Sequence, residues 1–269
     1  MSLGRRKVGL KDKARWVFNR MADVYDARPA YPPKLIDALA ELAGAGRRVA
    51  DLGAGIGHVA LPLAQQGLHV TAIEPAEAML ERLQERARQC RLSIRAAHAT
   101  AEALPLEDAS LDLAVVADAL HFIDAELVAR EIARVLVPGG ALAVVTCELG
   151  KTPFMQDLLE IIEASVPRRP RNLDRNLIQI SGITGVRFTR KREFHDETPV
   201  DNETLERILR SISFIGPAMN PARFAAFRQR VRALPGRPAW ARTFTLLAGR
   251  RAGRNSPSTG PRSRVWFPR

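Results

Sequence analysis

Cysteine is nearly absent from this chain: two in 269 residues, Cys90 and Cys147, far apart and without a CxxC pair or a Cys/His cluster. That excludes a disulfide framework and a zinc site of the usual spacing, and it makes a reducing, cytoplasmic setting the simplest expectation. No apolar run approaches the ~20 residues needed to span a bilayer, so no membrane segment is expected. There is no internal repeat. Acidic residues are scarce at both ends: residues 1–15 hold six Lys or Arg against one Asp, and residues 250–269 hold six Arg and no acid. The net charge of +12 therefore sits almost wholly on the termini. A nucleic-acid-binding fold would carry it on the folded body, so solvated tails are the reading preferred here to an RNA grip.

What is present points to an open α/β sheet. The run Val49-Ala-Asp-Leu-Gly-Ala-Gly-Ile-Gly-His58 is a short apolar strand that ends in an acid and opens into Gly53, Gly55 and Gly57. Without Cβ atoms these positions can take positive φ or lie against a ligand. A second strand candidate, Leu68–Glu74, places Glu74 where a ribose-binding carboxylate should stand. The spacing departs from the dinucleotide fingerprint, because His58 stands where that pattern wants a small residue. Asp51 would repel a pyrophosphate and suits a cationic cofactor. S-adenosyl-L-methionine fits this pattern better than a dinucleotide does.

Strand and helix candidates alternate at 48–52, 56–66, 68–74, 76–90, 92–97, 111–117, 124–136 and 141–147, which implies a mostly parallel sheet. Pro62 falls inside the helix candidate 56–66 and should kink it. Two helices precede the sheet, carrying Val17, Met21 and Val24, then Leu35, Ile36, Leu39 and Leu42. After Gly150 come a helix from Phe154 to Val166, an Arg/Pro-rich linker at 167–171, a strand within 185–195, helices near 201–212 and 220–233, and a last strand Thr243–Leu247.

The chain resembles the class I S-adenosylmethionine-dependent methyltransferases, and among them the small-molecule group with an N-terminal YxxRPxYP element. The resemblance rests on Tyr25-Asp-Ala-Arg28-Pro-Ala-Tyr31-Pro32, the Asp51 glycine loop, Glu74 to Leu80, Ala101-Glu102-Ala-Leu104-Pro105, Asp112, Ala119 to Phe122 and Leu136-Val-Pro138-Gly139-Gly140. It implies a Rossmann-like, doubly wound α/β fold: a seven-stranded, mostly parallel sheet with an antiparallel last strand and a helical lid. The expected organisation is a basic segment 1–15, a methyltransferase domain 16–250 with lid insertions at 150–182 and 200–235, and a basic disordered tail 251–269.

The same resemblance implies roles. Tyr25, Arg28, Asp51, Gly53, Gly55, Gly57, Glu74, Met79, Ala101, Glu102 and Ala117 are expected around the cofactor, with Arg28 a partner for a carboxylate of cofactor or substrate. His121 and Asp118, after the fourth strand, are the candidate bases. A carboxylate acceptor would make Arg28 matter more than His121, and a phenol or carbon nucleophile would reverse that order. The expected activity is methyl transfer to a small organic acceptor. An RNA methyltransferase using the basic termini and a non-catalytic cofactor-binding protein are the rivals, with dinucleotide-dependent oxidoreduction last.

Overall fold

The computed structural model describes residues 10–167 and 173–252. The chain begins with two helices, α1 (Leu10–Tyr25) and α2 (Pro33–Ala43), which lead into β1 (Arg48–Leu52), α3 (Ala60–Gln65), β2 (His69–Ile73), α4 (Glu77–Gln89) and β3 (Arg95–Ala97). It continues through β4 (Leu111–Ala117), α5 (Ala125–Val135) and β5 (Leu136–Leu149). Two helices, α6 (Pro153–Ser165) and α7 (Leu173–Thr184), precede β6 (Val186–Pro199), and α8 (Asn202–Arg210) and α9 (Pro221–Arg232) precede β7 (Ala239–Arg251).

The seven strands form one sheet in the order β3-β2-β1-β4-β5-β7-β6. The pairs from β3 to β5 are parallel, and β7 lies antiparallel between β5 and β6. The doubly wound sheet with a reversed last strand is therefore as the sequence implied. Chain order reverses between β1 and β4, and the crevice beyond the carboxyl ends of those two strands is where open α/β sheets bind ligands.

Alternation along the central strands makes two cores. Leu113 and Val115 of β4 and Ala143 and Val145 of β5 pack toward Leu35, Leu39 and Leu63 of α2 and α3. Their neighbours Ala114, Val116, Leu142 and Val144 pack toward Val128 and Ile132 of α5 and Leu177 and Ile180 of α7. Strands buried on both faces read as continuous apolar runs, which is what β4 and β5 show. A third cluster joins Met155, Leu158 and Ile162 of α6, Ile208 of α8, Phe224 and Phe227 of α9, and Trp240 of β7. This cluster stands apart from the sheet's two faces.

Several boundaries differ from those expected. The helix after the glycine loop starts at Ala60, not at residue 56, because Gly53, Gly55 and Gly57 all take positive φ and hold the chain in turns. Pro62 then falls in the first turn of α3, where its missing N–H has no helical partner to lose, so the expected kink does not arise. β5 begins at Leu136, upstream of the expected 141, and β7 runs from 239 to 251, well beyond Thr243–Leu247. α1 starts at Leu10, inside the basic segment expected over 1–15, and residues 1–9 of that segment lie outside the described residues. α7 was not anticipated; it packs on α5, while α6 packs with α9, so the stretch 150–182 divides between sheet cover and the third cluster. Residues 168–171 of the Arg/Pro-rich linker and residues 253–269 of the tail lie outside the described residues.

Candidate active site

A cavity opens at the carboxyl end of β1, β2 and β4, roofed by α1 and the third apolar cluster. Tyr25, Arg28, Asp51, Gly53, Gly55, Glu74, Met79, Ala101, Glu102, Ala117, Asp118 and His121 all line it. Twelve of the thirteen expected site residues thus meet at one place. Gly57 does not line the cavity. Its φ of +87°, and the 2.8 Å at which a Cβ would meet Leu61 Cγ, give it a role in the turn and in packing against α3.

The glycine loop is held by the acids that flank it. Glu74 is 6% exposed, and its two carboxylate oxygens accept from Gly55 N and Ala76 N, each at 2.8 Å. One side chain thereby ties the tip of β2 to the loop after β1 and to the start of α4. Gly53 N and Ala54 N both donate to Ile73 O, at 2.9 and 3.0 Å, and Arg86 Nη1 donates to Ile56 O at 2.8 Å. At Gly53 a Cβ would come within 2.8 Å of Ala119 Cβ, whereas at Gly55 the nearest atom would be Tyr25 Cε1 at 3.9 Å. Glycine at 53 serves packing. Glycine at 55 keeps the space below the Tyr25 ring open.

Asp51 is 1% exposed, and its Oδ2 accepts from Ala60 N at 3.1 Å. Burial raises its pKa to about 7, the Ala60 bond lowers it, and the nearby Glu74 charge raises it further. A buried carboxylate poised between its two protonation states is suited to meeting a cation. Met79 packs with Met21, Ala22, Ile56 and Ala76, making an apolar wall beside Glu74. Glu102 Oε1 accepts from Asp124 N at 3.0 Å, which fixes the loop after β3 against the N-terminus of α5.

On the opposite wall, Tyr25, His58 and Tyr31 form a stack, His58 lying 6.0 Å from Tyr25 and 6.3 Å from Tyr31 with interplanar angles of 23°. Burial, helped by the charges of Arg86, Arg28 and Arg242, lowers the His58 pKa to about 3, so its imidazole is neutral. Burial raises both tyrosine hydroxyls, and the Asp118 charge adds to this at each.

Arg28 is engaged within the protein. Its Nε donates to Ser211 Oγ at 2.8 Å, Nη2 to Ser211 O at 2.6 Å and Nη1 to the Tyr25 hydroxyl at 3.0 Å. Its charge also lies over the Tyr25 ring, 4.2 Å from the centroid. It links the segment after α1 to the C-terminus of α8. Asp118 has a φ of 48° and donates its backbone N–H to Val145 O at 2.8 Å. Aspartate tolerates this left-handed conformation better than most side chains, which accounts for a carboxylate at the tip of β4. The His121 ring lies 3.9 Å from Phe122, which meets Phe18 edge-on at 5.1 Å.

Arg242 was missed in the sequence and proves central. It is 5% exposed, pairs with Asp196, and donates from Nη1 to Pro29 O at 2.9 Å and from Nη2 to Ala30 O at 2.7 Å. It fastens the Arg28–Tyr31 turn to the edge of the sheet. Its signal was available: Trp240, Arg242, Phe244, Leu246 and Ala248 occupy the buried register of β7, an arginine within an otherwise apolar alternation. Phe214, Trp240 and Ile162 line the outer cavity and were likewise unassigned.

Residues 50–144, which carry the glycine loop, Glu74, Asp118 and His121, match the family model described as a methyltransferase domain. This segment is similar to methyltransferase domains. An uncharacterized methyltransferase of Mycobacterium tuberculosis (strain ATCC 25618 / H37Rv) is 40% identical over 146 residues, 54% of this chain and 55% of that protein. The chain thus spans about half the length of the curated relatives it matches at this identity. An uncharacterized methyltransferase of Schizosaccharomyces pombe is 28% identical over 203 residues, 72% of this chain and 77% of its own length. Among solved structures, a putative type II methyltransferase from Anaeromyxobacter dehalogenans superposes with a TM-score of 0.58 at 23% identity, over 84% of this chain and 99% of that one. A geranyl diphosphate methyltransferase in complex with GPP and sinefungin gives 0.56 at 14% identity, over 91% and 100%. These two likenesses concern the fold alone.

Proposed function

We propose that this chain moves a methyl group from S-adenosylmethionine to a small organic acceptor held under α6, α8 and α9. The observation that carries the proposal is the convergence on one cavity of Asp51, Glu74 and the Gly53–Gly55 loop, all within the segment that matches a methyltransferase domain. These residues fit the cofactor. The buried acids Asp51 and Glu74 suit its sulfonium, amino group and ribose hydroxyls, Met79 and Ala101 offer an apolar slot for the base, and the open space over Gly55 is one a Cβ would enter. When bound, it supplies a methyl carbon activated by a positive sulfur.

The protein's part is to place the acceptor in line with that carbon and to take its proton where it has one to lose. Asp118 and His121 line the cavity at the tip of β4 and are the groups available for the second task. Supplying isotope-labelled S-adenosylmethionine with a metabolite extract and, separately, with total RNA tests the proposal. Label in a small metabolite is the expected result. Label in RNA alone overturns the acceptor class, and label in neither, with cofactor binding intact by calorimetry, favours the non-catalytic reading.

A further inference from the structure

The wall opposite Asp51 and Glu74 carries two polar side chains that the fold leaves open. Tyr31 and His58 both line the cavity, their rings inclined by 23° with centroids 6.3 Å apart. Among the described residues neither the His58 nitrogens nor the Tyr31 hydroxyl makes a hydrogen bond, and the two rings touch Tyr25, Phe244 and each other. The one sealed side-chain nitrogen or oxygen without a hydrogen bond, again among the described residues, is Arg82 Nε. The polar atoms of His58 and Tyr31 are therefore not sealed, and the open space they reach is the cavity these side chains line. Tyr25, the third ring of the stack, differs, since its hydroxyl accepts from Arg28 Nη1 at 3.0 Å. Polar groups inside a protein are nearly always partnered, so an open pair on a cavity wall is a place where a ligand supplies the partner.

This wall favours neutral groups. Burial is the largest influence on both side chains: it lowers the His58 pKa to about 3 and raises the Tyr31 hydroxyl well above its ordinary value. A positive charge is disfavoured at one and a negative charge at the other. A cationic ligand group here would stand beside the charges of Arg86, Arg28 and Arg242, which already act against an imidazolium. An anionic one would find the two guanidiniums of the lining committed, Arg242 to Asp196 and two carbonyls, Arg28 to Ser211 and the Tyr25 hydroxyl. A neutral imidazole keeps one ring nitrogen as an acceptor, and a tyrosine hydroxyl can donate. A neutral hydroxyl fits the pair, donating to His58 and accepting from Tyr31. Farther out, Leu149, Ile162, Phe214 and Trp240 of the third apolar cluster line the cavity beneath the lid, a setting for an apolar body.

Resting on the methyltransferase reading above, we infer that the acceptor is an apolar molecule with a neutral hydroxyl, that His58 and Tyr31 hold this hydroxyl, and that its oxygen receives the methyl group. A lone pair of the oxygen forms the O–C bond as the S–C bond breaks, and the S–C electron pair stays on sulfur as a thioether. An oxygen that has gained a methyl group is a far stronger acid than an imidazolium. Its proton therefore passes to the His58 nitrogen that accepts its hydrogen bond, and from there to water. The acceptor is neutral when it binds and neutral when it attacks, and the positive charge that leaves sulfur leaves the site as that proton.

Three probes of one skeleton test this at neutral pH: 2-naphthol, the anion 2-naphthoate and the cation 2-naphthylmethylamine, titrated by calorimetry into the full chain saturated with S-adenosylhomocysteine. The naphthol is expected to bind at least tenfold tighter than either ion. His58→Phe and Tyr31→Phe keep the rings and remove the polar atoms, and each is expected to weaken naphthol binding at least fivefold while S-adenosylhomocysteine affinity stays within twofold. Either ion binding as tightly as the naphthol overturns the inference, as does failure of all three to bind. Unchanged naphthol affinity in Tyr31→Phe, the milder of the two changes, overturns it by itself. A variant whose S-adenosylhomocysteine affinity falls as far as its naphthol affinity assigns the pair to the cofactor and overturns it as well. Absence of S-adenosylhomocysteine binding by the unaltered chain would instead count against the methyltransferase reading itself, and the two failures are thereby told apart.

Discussion

At the scale of single residues, Asp51 shows how a site can act against the stability of its own fold. Its pKa is about 7 in the folded chain, up from the ordinary 3.8, because burial disfavours the charged form. The unfolded state therefore gives up this proton first as pH rises, and the residue's contribution falls between about pH 4 and pH 7, then stays low. Asp51→Asn should raise the midpoint of thermal unfolding at pH 8 and change it little at pH 4. The same variant should weaken S-adenosylhomocysteine binding at least tenfold, measured by calorimetry. Glu74→Gln tests a different duty: an amide can accept at one of Gly55 N and Ala76 N but not both, so affinity should fall about tenfold with a loss of about 1–2 kcal/mol in urea unfolding. Unchanged affinity in both variants would remove the acids from the cofactor site. At Gly55, alanine faces the strain of φ +54° and fills space under Tyr25, so Gly55→Ala should lose binding more than stability.

At the scale of elements, the sheet was legible and the lid less so, for physical reasons. β1, β2 and β4 are short apolar runs closed by acids or glycine, and their alternation with helices allows few topologies. α7 (sequence LDRNLIQISGIT) follows an Arg/Pro-rich stretch and contains Ser181 and Gly182, which weaken a helical signal that its packing on α5 restores. β6 is an edge strand with exposed charges along most of its length, so it lacks the apolar alternation that marks its neighbours. Arg242 escaped notice because a buried arginine is recognised by its partners, and these come from residues 29, 30 and 196, which no local pattern connects. Removing it leaves Asp196 and two carbonyls without their donor. Arg242→Met should cost about 3 kcal/mol in urea unfolding, and should speed hydrogen exchange through residues 26–31 more than through β1. An unchanged exchange pattern there would show that the turn is held by other contacts.

At the scale of the whole molecule, the cavity lies between three separately packed bodies: the sheet, the α1 segment and the cluster of α6, α8 and α9. Arg28 joins the second to the third and Arg242 joins the second to the first, so a ligand in the cavity touches all of them. Ligand at 100 times its Kd should add about 2.7 kcal/mol, which for a domain of this size raises Tm by roughly 5–10 °C. Differential scanning fluorimetry with S-adenosylhomocysteine checks this, and a shift under 2 °C at saturation would contradict a site built across the three. No described helix is long and apolar enough to cross a membrane.

The reversal of β7 has a practical side. Arg250 sits opposite Ala141 and Phe244 opposite Cys147, so the strand runs from the cavity end of the sheet back to its far end, some 20 Å away. Whatever is fused or anchored after residue 252 therefore starts from the face opposite the mouth of the cavity. A chain truncated after residue 252 and immobilised there would present its opening outward, the orientation a ligand-screening biosensor requires.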